Sequence, residues 1–211
     1  FADHGANRLG ANSLLQASVD GYFIAPYTIA NYLSNEIHTG EISTDHIEFE
    51  KAELAVKRQI EELLQIKGNK TVDHFHKILG KLLYDYCGLA RSEQGLQYAI
   101  AEIRKLKQEF YDNVMVSGQP DSLNTELEKA GRVADYFEIG ELMCYDALTR
   151  KESCGAHFRE EYQTADGEAL RNDADFQFIS AWAWKGDGEE PELIKEPLTF
   201  EEIQPTVRSY K

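Results

Sequence analysis

The chain has 211 residues, 42% of them hydrophobic and 28% charged, the balance of an ordinary globular protein and not of a disordered one. Its net charge is −15, from 37 acidic and 22 basic residues, and no Lys/Arg cluster offers a footprint for nucleic acid; the acidity is read as a solubility device. No apolar run approaches the roughly 20 residues that cross a bilayer; the longest, Tyr22 to Leu33, is interrupted by Pro26 and Asn31.

The three cysteines, Cys87, Cys144 and Cys154, form no CxxC pair. Their odd number argues against a disulfide framework and fits a reducing compartment. The chain opens on Phe1-Ala2-Asp3-His4-Gly5, with neither Met nor a leader pattern, directly beside a rich motif. It is read as cut from a longer polypeptide.

Three regions are expected, 1–40, 41–151 and 152–211. In the first, the polar turn residues Asn7 to Ser13 give way to a short apolar helix, with Gly10, Asn12 and Ser13 all suited to a helix N-terminus. Pro26 should kink that helix or restart it after Ala25.

The middle region reads as helical. Asp45 and Glu48 have capping-box spacing, and their helix is expected to run to about Lys67, ended by Gly68-Asn69. Thr71 can cap a second helix whose stripe is Phe75, Ile78, Leu79, Leu82, Leu83 and Tyr86. Ser92 can cap a third, with Leu96, Ala99, Ile100, Ile103, Leu106 and Phe110 inward. After a turn at Val116 to Asp121, a fourth helix should bury Leu123, Leu127, Ala130, Ala134, Phe137, Met143 and Leu148. Long helices with short connections pack as an antiparallel bundle, here of three to four helices.

Beyond Arg150 the pattern changes. Phe176 to Trp184 reads as a strand, Lys185-Gly186-Asp187-Gly188 as a hairpin turn, and Glu192 to Thr199 as a returning strand. The fold class is therefore mainly α, a helical bundle followed by a small β or irregular C-terminal segment.

The segment His4-Gly5-Ala6-Asn7-Arg8-Leu9-Gly10-Ala11-Asn12-Ser13-Leu14 carries the most chemistry. Arg8 offers a rigid, always-charged fork that matches a carboxylate at two points. The helix start that follows offers free N–H groups and positive dipole potential, suited to an anion or an electron-rich ring. By these residues alone, Arg8 is either a substrate clamp or an Arg paired with a nearby acid.

The same segment resembles HGANRLGGNSLL of the succinate dehydrogenase and fumarate reductase flavoproteins. Tyr86-Cys87-Gly88-Leu89-Ala90-Arg91 and Ala130-Gly131-Arg132-Val133-Ala134-Asp135 resemble helix segments of that family's C-terminal bundle. Arg150 to Arg159 is similar to its RxESRGAHxR stretch, and Val207-Arg208-Ser209-Tyr210 to its Arg-x-Tyr close. Cys154 departs from the pattern, standing where the family has Arg.

The resemblance implies that residues 1–40 are the C-terminal remnant of an FAD-binding domain, 41–151 a helical bundle domain, and 152–211 a small β or extended segment. It implies Arg8 as the ligand of a dicarboxylate substrate and Ser13 and Leu14 as FAD contacts. The Gly-rich dinucleotide fingerprint, the His that carries covalent FAD, and the proton-donating Arg with its capping domain are absent from this sequence, so no catalytic residue is assigned and this fragment alone is expected to be inactive. The intact protein would interconvert succinate and fumarate. It would pass electrons to an iron–sulfur subunit and on to a quinone at a membrane anchor, on the cytoplasmic face. Two alternatives are a related FAD oxidoreductase such as L-aspartate oxidase, and a stand-alone helical interaction module.

The smaller signals are read as structural. His74 and His76, two apart on a helix, face apart and suit no shared metal. His4 is a possible substrate-orienting group. His157 and Arg159 should share a face and are read as a structural salt link before a junction with a flavin domain. Cys144 is read as helix packing. Trp182 and Trp184 should share one strand face, either in the core or as a patch for a partner subunit.

Overall fold

A computed structural model describes residues 12–119, 122–186, 188–202 and 204–206. The chain divides into two compact units, 1–59 and 60–211.

In the first unit, α1 (Asn12–Val19) runs into one π-helical turn (Asp20–Ile24), and α2 (Ala25–Tyr32) follows. The turn lies just ahead of Pro26. Proline has no N–H to donate and its ring clashes with the carbonyl four residues back, so a wider turn relieves both problems and the helix restarts at Ala25. None of the described residues 13–59 is buried, although Tyr22, Phe23, Tyr27 and Ile29 are large and apolar.

Helix α3 (Ile47–Gln65) starts without the expected capping box. The Asp45 carboxylate accepts from Ser43 Oγ at 2.9 Å, and the Glu48 amide donates instead to His46 Nδ1 at 3.3 Å. The helix also stops two residues before Lys67, because Lys67 leaves it to bridge to Met115.

The second unit is built on three helices, α4 (Val72–Tyr86), α5 (Glu93–Asn113) and α6 (Thr125–Thr149). Each has a side-chain N-cap that satisfies an otherwise unpaired first-turn amide. Thr71 accepts from the His74 amide and Ser92 from the Gly95 amide, as their sequence positions predict. Asn124 accepts from the Leu127 amide, and its amide group donates to the Ser117 and Gln119 carbonyls, closing the turn before α6.

Cross-helix pairs fix the directions. Arg104 meets Glu141 while Lys107 meets Glu138, so numbering rises on α5 as it falls on α6, and the two are antiparallel. Asp73 meets Lys129 and His76 meets Tyr136, so α4 and α6 run parallel, with α5 opposed to both. Two short strands join the start of α4 to the end of α5: β1 (Lys70–Thr71) pairs in parallel with β2 (Val114–Met115). There Gly68 crosses α5 so closely that a Cβ would lie 1.9 Å from the Asn113 carbonyl oxygen.

Phe75, Phe110 and Phe137, one from each helix, are fully buried and stack edge-on or tilted at 5.3 and 5.5 Å. Such pairs contribute about 0.5–1.5 kcal/mol each beyond the area they bury. All six expected α5 positions are buried. On α4, Phe75 and Leu79 are buried and Leu82, Leu83 and Tyr86 pack at the edge of the core, but Ile78 is 41% exposed. The α6 stripe is Ala130, Val133, Phe137, Gly140, Cys144 and Ala147. Leu123 lies before the helix and is 98% exposed, and Met143 is also exposed. Gly140 explains the shift: a Cβ there would stand 3.1 Å from Leu83, so the small face of α6 is the one that approaches α4.

A short turn of helix, α7 (Asp173–Phe176), precedes the hairpin of β3 (Phe178–Ala183) and β4 (Glu192–Pro197). The strands are antiparallel, with Phe178 opposite Pro197 and Ala183 opposite Glu192. The N-terminal part of the expected strand, Phe176-Gln177, is taken by the end of α7, which Asn172 caps.

Candidate functional site

Arg8 and His4 lie outside the described residues. Ser13 and Leu14 stand in the first turn of α1, Ser13 half-buried and Leu14 71% exposed. The amides of a first helical turn have no acceptor within the helix, and the dipole adds positive potential there. Beside an accessible Leu14, these donors suit one polar edge of a flavin ring. Among the described residues, no Gly-rich strand-to-helix turn is present to seat a pyrophosphate. The residues present therefore fit an edge of the isoalloxazine and not a whole FAD.

The Arg150–Arg159 stretch forms a closed polar knot at the far end of α6. Arg150 follows the last helical residue, and its guanidinium meets Glu152 at 2.8 Å and the carbonyls of Phe176 and Phe178 at 3.0 Å each. Glu152, itself buried, uses its second oxygen to accept from the Asn172 amide at 2.9 Å. Ser153 Oγ donates to the Arg159 carbonyl and accepts from the Arg159 amide. The root of the hairpin is thus pinned to the end of α6.

Arg159 is fully buried. Its Nη1 donates to the Ala147 and Leu148 carbonyls at 2.9 and 3.2 Å, capping the C-terminus of α6 with positive charge, where the helix dipole favours it. Its Nε donates to Glu161 at 3.1 Å. The other Glu161 oxygen accepts from the Glu93 amide at 2.6 Å, in the first turn of α5. One ion pair therefore serves the negative end of α6 and the positive end of α5. The expected salt link of Arg159 is present, with Glu161 as its acid.

His157 is buried and meets no carboxylate among the described residues. Arg91 Nη1 lies 2.8 Å from Nδ1, and the Arg150 carbonyl 3.0 Å from Nε2. A guanidinium can only donate and a carbonyl can only accept, so the ring is neutral with its proton on Nε2. Burial, with the positive charge of Arg91, Arg159 and Arg150, holds its pKa below the usual value against the opposing pull of the Arg150 carbonyl. Arg91 and Glu152 stand in the sequence only as members of family-like segments with no role attached, and Glu161 stands outside them. Arg91 adjoins the Ser92 cap and Glu161 follows Arg159 by two positions, yet nothing local ties them to residues more than 60 positions away.

His74 packs edge-on to Phe75, and His76 packs against Tyr136 of α6. No group of three metal-capable side chains occurs among the described residues. Cys144 and Cys87 are both buried free thiols in the helical core. Trp182 Nε1 donates to Asp146 at 2.8 Å, fastening β3 to α6, while Trp184, just past the strand, is 72% exposed. No described helix is long and apolar enough to cross a membrane.

The description of the C-terminal region of fumarate reductase flavoproteins matches residues 76–210. The chain belongs to that family. An uncharacterized FAD-dependent oxidoreductase of Methanocaldococcus jannaschii is 33% identical over 159 residues, 75% of this chain and 26% of its own length. The fumarate reductase flavoprotein subunit of Helicobacter pylori (strain 26695) is 29% identical across 98% of the chain and 28% of its own length. An Escherichia coli quinol fumarate reductase structure overlays 97% of the chain and 33% of its own with a TM-score of 0.76 at 23% identity, which shows the shared fold. The chain thus spans about a third or less of the length of these relatives. L-aspartate oxidase of Vibrio cholerae also matches, at 29% identity, but over only 75% of the chain. In this chain the polar knot ties the end of α6 to Arg91, Glu161, Asn172 and the root of the hairpin.

Proposed function

We propose that this chain is the C-terminal part of an FAD-dependent enzyme that interconverts succinate and fumarate. In this reading residues 1–40 complete an FAD-binding domain, 41–151 form the helical domain, and 152–211 the closing hairpin segment. The observation that carries it is the near-complete coverage of the chain by fumarate reductase flavoprotein subunits. The bare apolar surface of α1 and α2 supports it, since a set of exposed aromatics of this size belongs against further protein.

Arg8 would hold one carboxylate of the dicarboxylate, and the first turn of α1, with Ser13 and Leu14, would face the polar edge of the flavin. FAD, when bound, supplies the site that accepts or returns a hydride. The helix dipole at Ser13 favours the added negative charge of the reduced ring. The relatives' names, a flavoprotein subunit and a quinol fumarate reductase, support partner subunits and a quinone as electron partner. In this reading electrons pass through an iron–sulfur subunit to a membrane anchor, with the protein peripheral on the inner face of the membrane. L-aspartate oxidation is the weaker reading, because that relative leaves a quarter of the chain unmatched.

The test uses the full polypeptide carrying this chain, loaded with FAD and assayed for fumarate reduction and for succinate and L-aspartate oxidation. Arg8→Lys keeps the charge and loses the planar fork. Losing one charged hydrogen bond of about 1.5–3 kcal/mol lowers kcat/KM roughly 10- to 100-fold with FAD content unchanged. Near-normal turnover of that variant removes Arg8 from the substrate site, and turnover of L-aspartate alone removes the dicarboxylate reading. The 211 residues by themselves are expected to bind no FAD tightly and to oxidise no succinate.

A further inference from the structure

A cleft of about 490 Å³ opens between α5, α6 and the tip of the β3–β4 hairpin. It lies wholly within the second unit and is independent of the flavin reading. On its floor, Arg104 donates from Nε to Glu141 at 2.8 Å and from Nη2 to the Tyr145 hydroxyl at 2.6 Å. The same guanidinium lies 5.7 Å from the centre of the Tyr145 ring. The floor therefore already holds an arginine between a carboxylate and an aromatic face. Lys107, the other basic residue of the lining, pairs with Glu138.

The rim repeats the same chemistry without the arginine. Trp184 stands at the mouth with most of its surface in solvent, and Trp182 behind it has committed its N–H to Asp146. Glu189 lines the cleft and Glu190 follows it, accepting from the Tyr145 hydroxyl at 3.5 Å. Neither has a basic side chain within ion-pair distance among the described residues. With both cations of the cleft neutralised by their own acids, the rim carries excess negative charge beside an open indole face. The chain's net charge of −15 adds a field that draws basic partners in and turns acidic ones away.

We propose that this cleft is a docking site for a basic segment of a partner protein, which inserts an arginine side chain against Trp184 and pairs it with Glu189 and Glu190. Arginine fits better than lysine, because its planar group stacks on an indole while its edge still donates to carboxylates.

The chain's two tryptophans both line the cleft, so its tryptophan fluorescence, excited selectively over the tyrosines, reports this site. The 211-residue chain is titrated with the capped peptide acetyl-Gly-Arg-Pro-Arg-Gly-amide and with matched peptides carrying citrulline or Glu in place of both Arg. The arginine peptide is expected to give a saturable change that weakens with added salt, and the citrulline and Glu peptides none. The variant Glu189→Gln/Glu190→Gln alters two exposed side chains, and circular dichroism verifies that it is folded; it should bind the arginine peptide at least tenfold more weakly. The proposal is overturned if the arginine peptide gives no saturable change at millimolar concentration, if citrulline binds as well as arginine, or if the double variant binds unchanged.

Discussion

Replacing Arg159 by Met keeps most of the side-chain volume and removes the charge and the donors, so its effect isolates the polar contacts at the end of α6. Two hydrogen bonds from a charged donor to the Ala147 and Leu148 carbonyls contribute roughly 3–6 kcal/mol at about 1.5–3 each. The pair with Glu161 adds at most about 1 kcal/mol, because that carboxylate is partly in solvent. Against these stands the buried Nη2, which has no partner among the described residues and whose removal returns about 1–3 kcal/mol. The net expected loss is about 3 kcal/mol, or roughly 6–12 °C in Tm for a unit of this size. Urea titration followed by far-UV circular dichroism measures it. Arg159→Lys should recover part of the loss, since one ammonium cannot reach both carbonyls and Glu161 in the same geometry. A loss below about 1 kcal/mol for Arg159→Met would show that the two helix ends do not depend on this guanidinium, and the account of the knot would fail.

Stability should also fall with acid at His157. Its folded pKa lies below the unfolded value of about 6.5, so the contribution is complete above that pH and is lost as pH falls through 6.5 toward the lowered folded value. Arg91, Arg150 and Arg159 all oppose the proton there, and His157→Gln, which can both accept and donate without titrating, should flatten the Tm profile between pH 7.5 and 5.5; equal slopes in both proteins refute the assignment. Thiol titration with an aromatic disulfide reagent should find one reactive group in the native chain, Cys154, which is half-buried and whose pKa burial pushes up, and three after denaturation. Rapid native reaction at Cys87 or Cys144 would contradict the closed packing between α4 and α6.

The sequence makes α5 fully legible because its inward positions are large, apolar and regularly spaced. Helix α6 is legible only in part. A reading by large residues selects Leu123 and Met143, whereas the contact face is made of Gly140, Cys144 and Ala147, which owe their burial to smallness. Ile78 fails for a related reason: the stripe on α4 is narrower than its hydrophobic residues, and the 75–79 line takes the core. The capping box at Asp45 fails because Ser43, two residues away, competes for the same carboxylate. The polar knot is legible as a motif and not as a structure, since Arg91, Glu152 and Glu161 acquire meaning only when the chain folds back on itself. Arg8, Ser13 and Leu14 come from likeness to known flavoproteins, which no local rule of charge or spacing could replace.

The long reach of that knot bears on the order in which the chain folds. Arg91 and His157 are 66 positions apart, and Glu93 and Glu161 are 68. Contacts between successive helices close much shorter loops, and the entropy of closure rises with the logarithm of loop length. The three-helix core can therefore condense first, and the Arg91–His157 and Glu93–Glu161 contacts arrive last, whereas Arg159 reaches carbonyls only 12 and 11 positions back. Substitutions at Phe110 should then slow folding, whereas those at Glu161, whose contact with Glu93 spans 68 positions, should leave the folding rate nearly unchanged and quicken unfolding. The last segment to dock is the one that sets how long the native state persists.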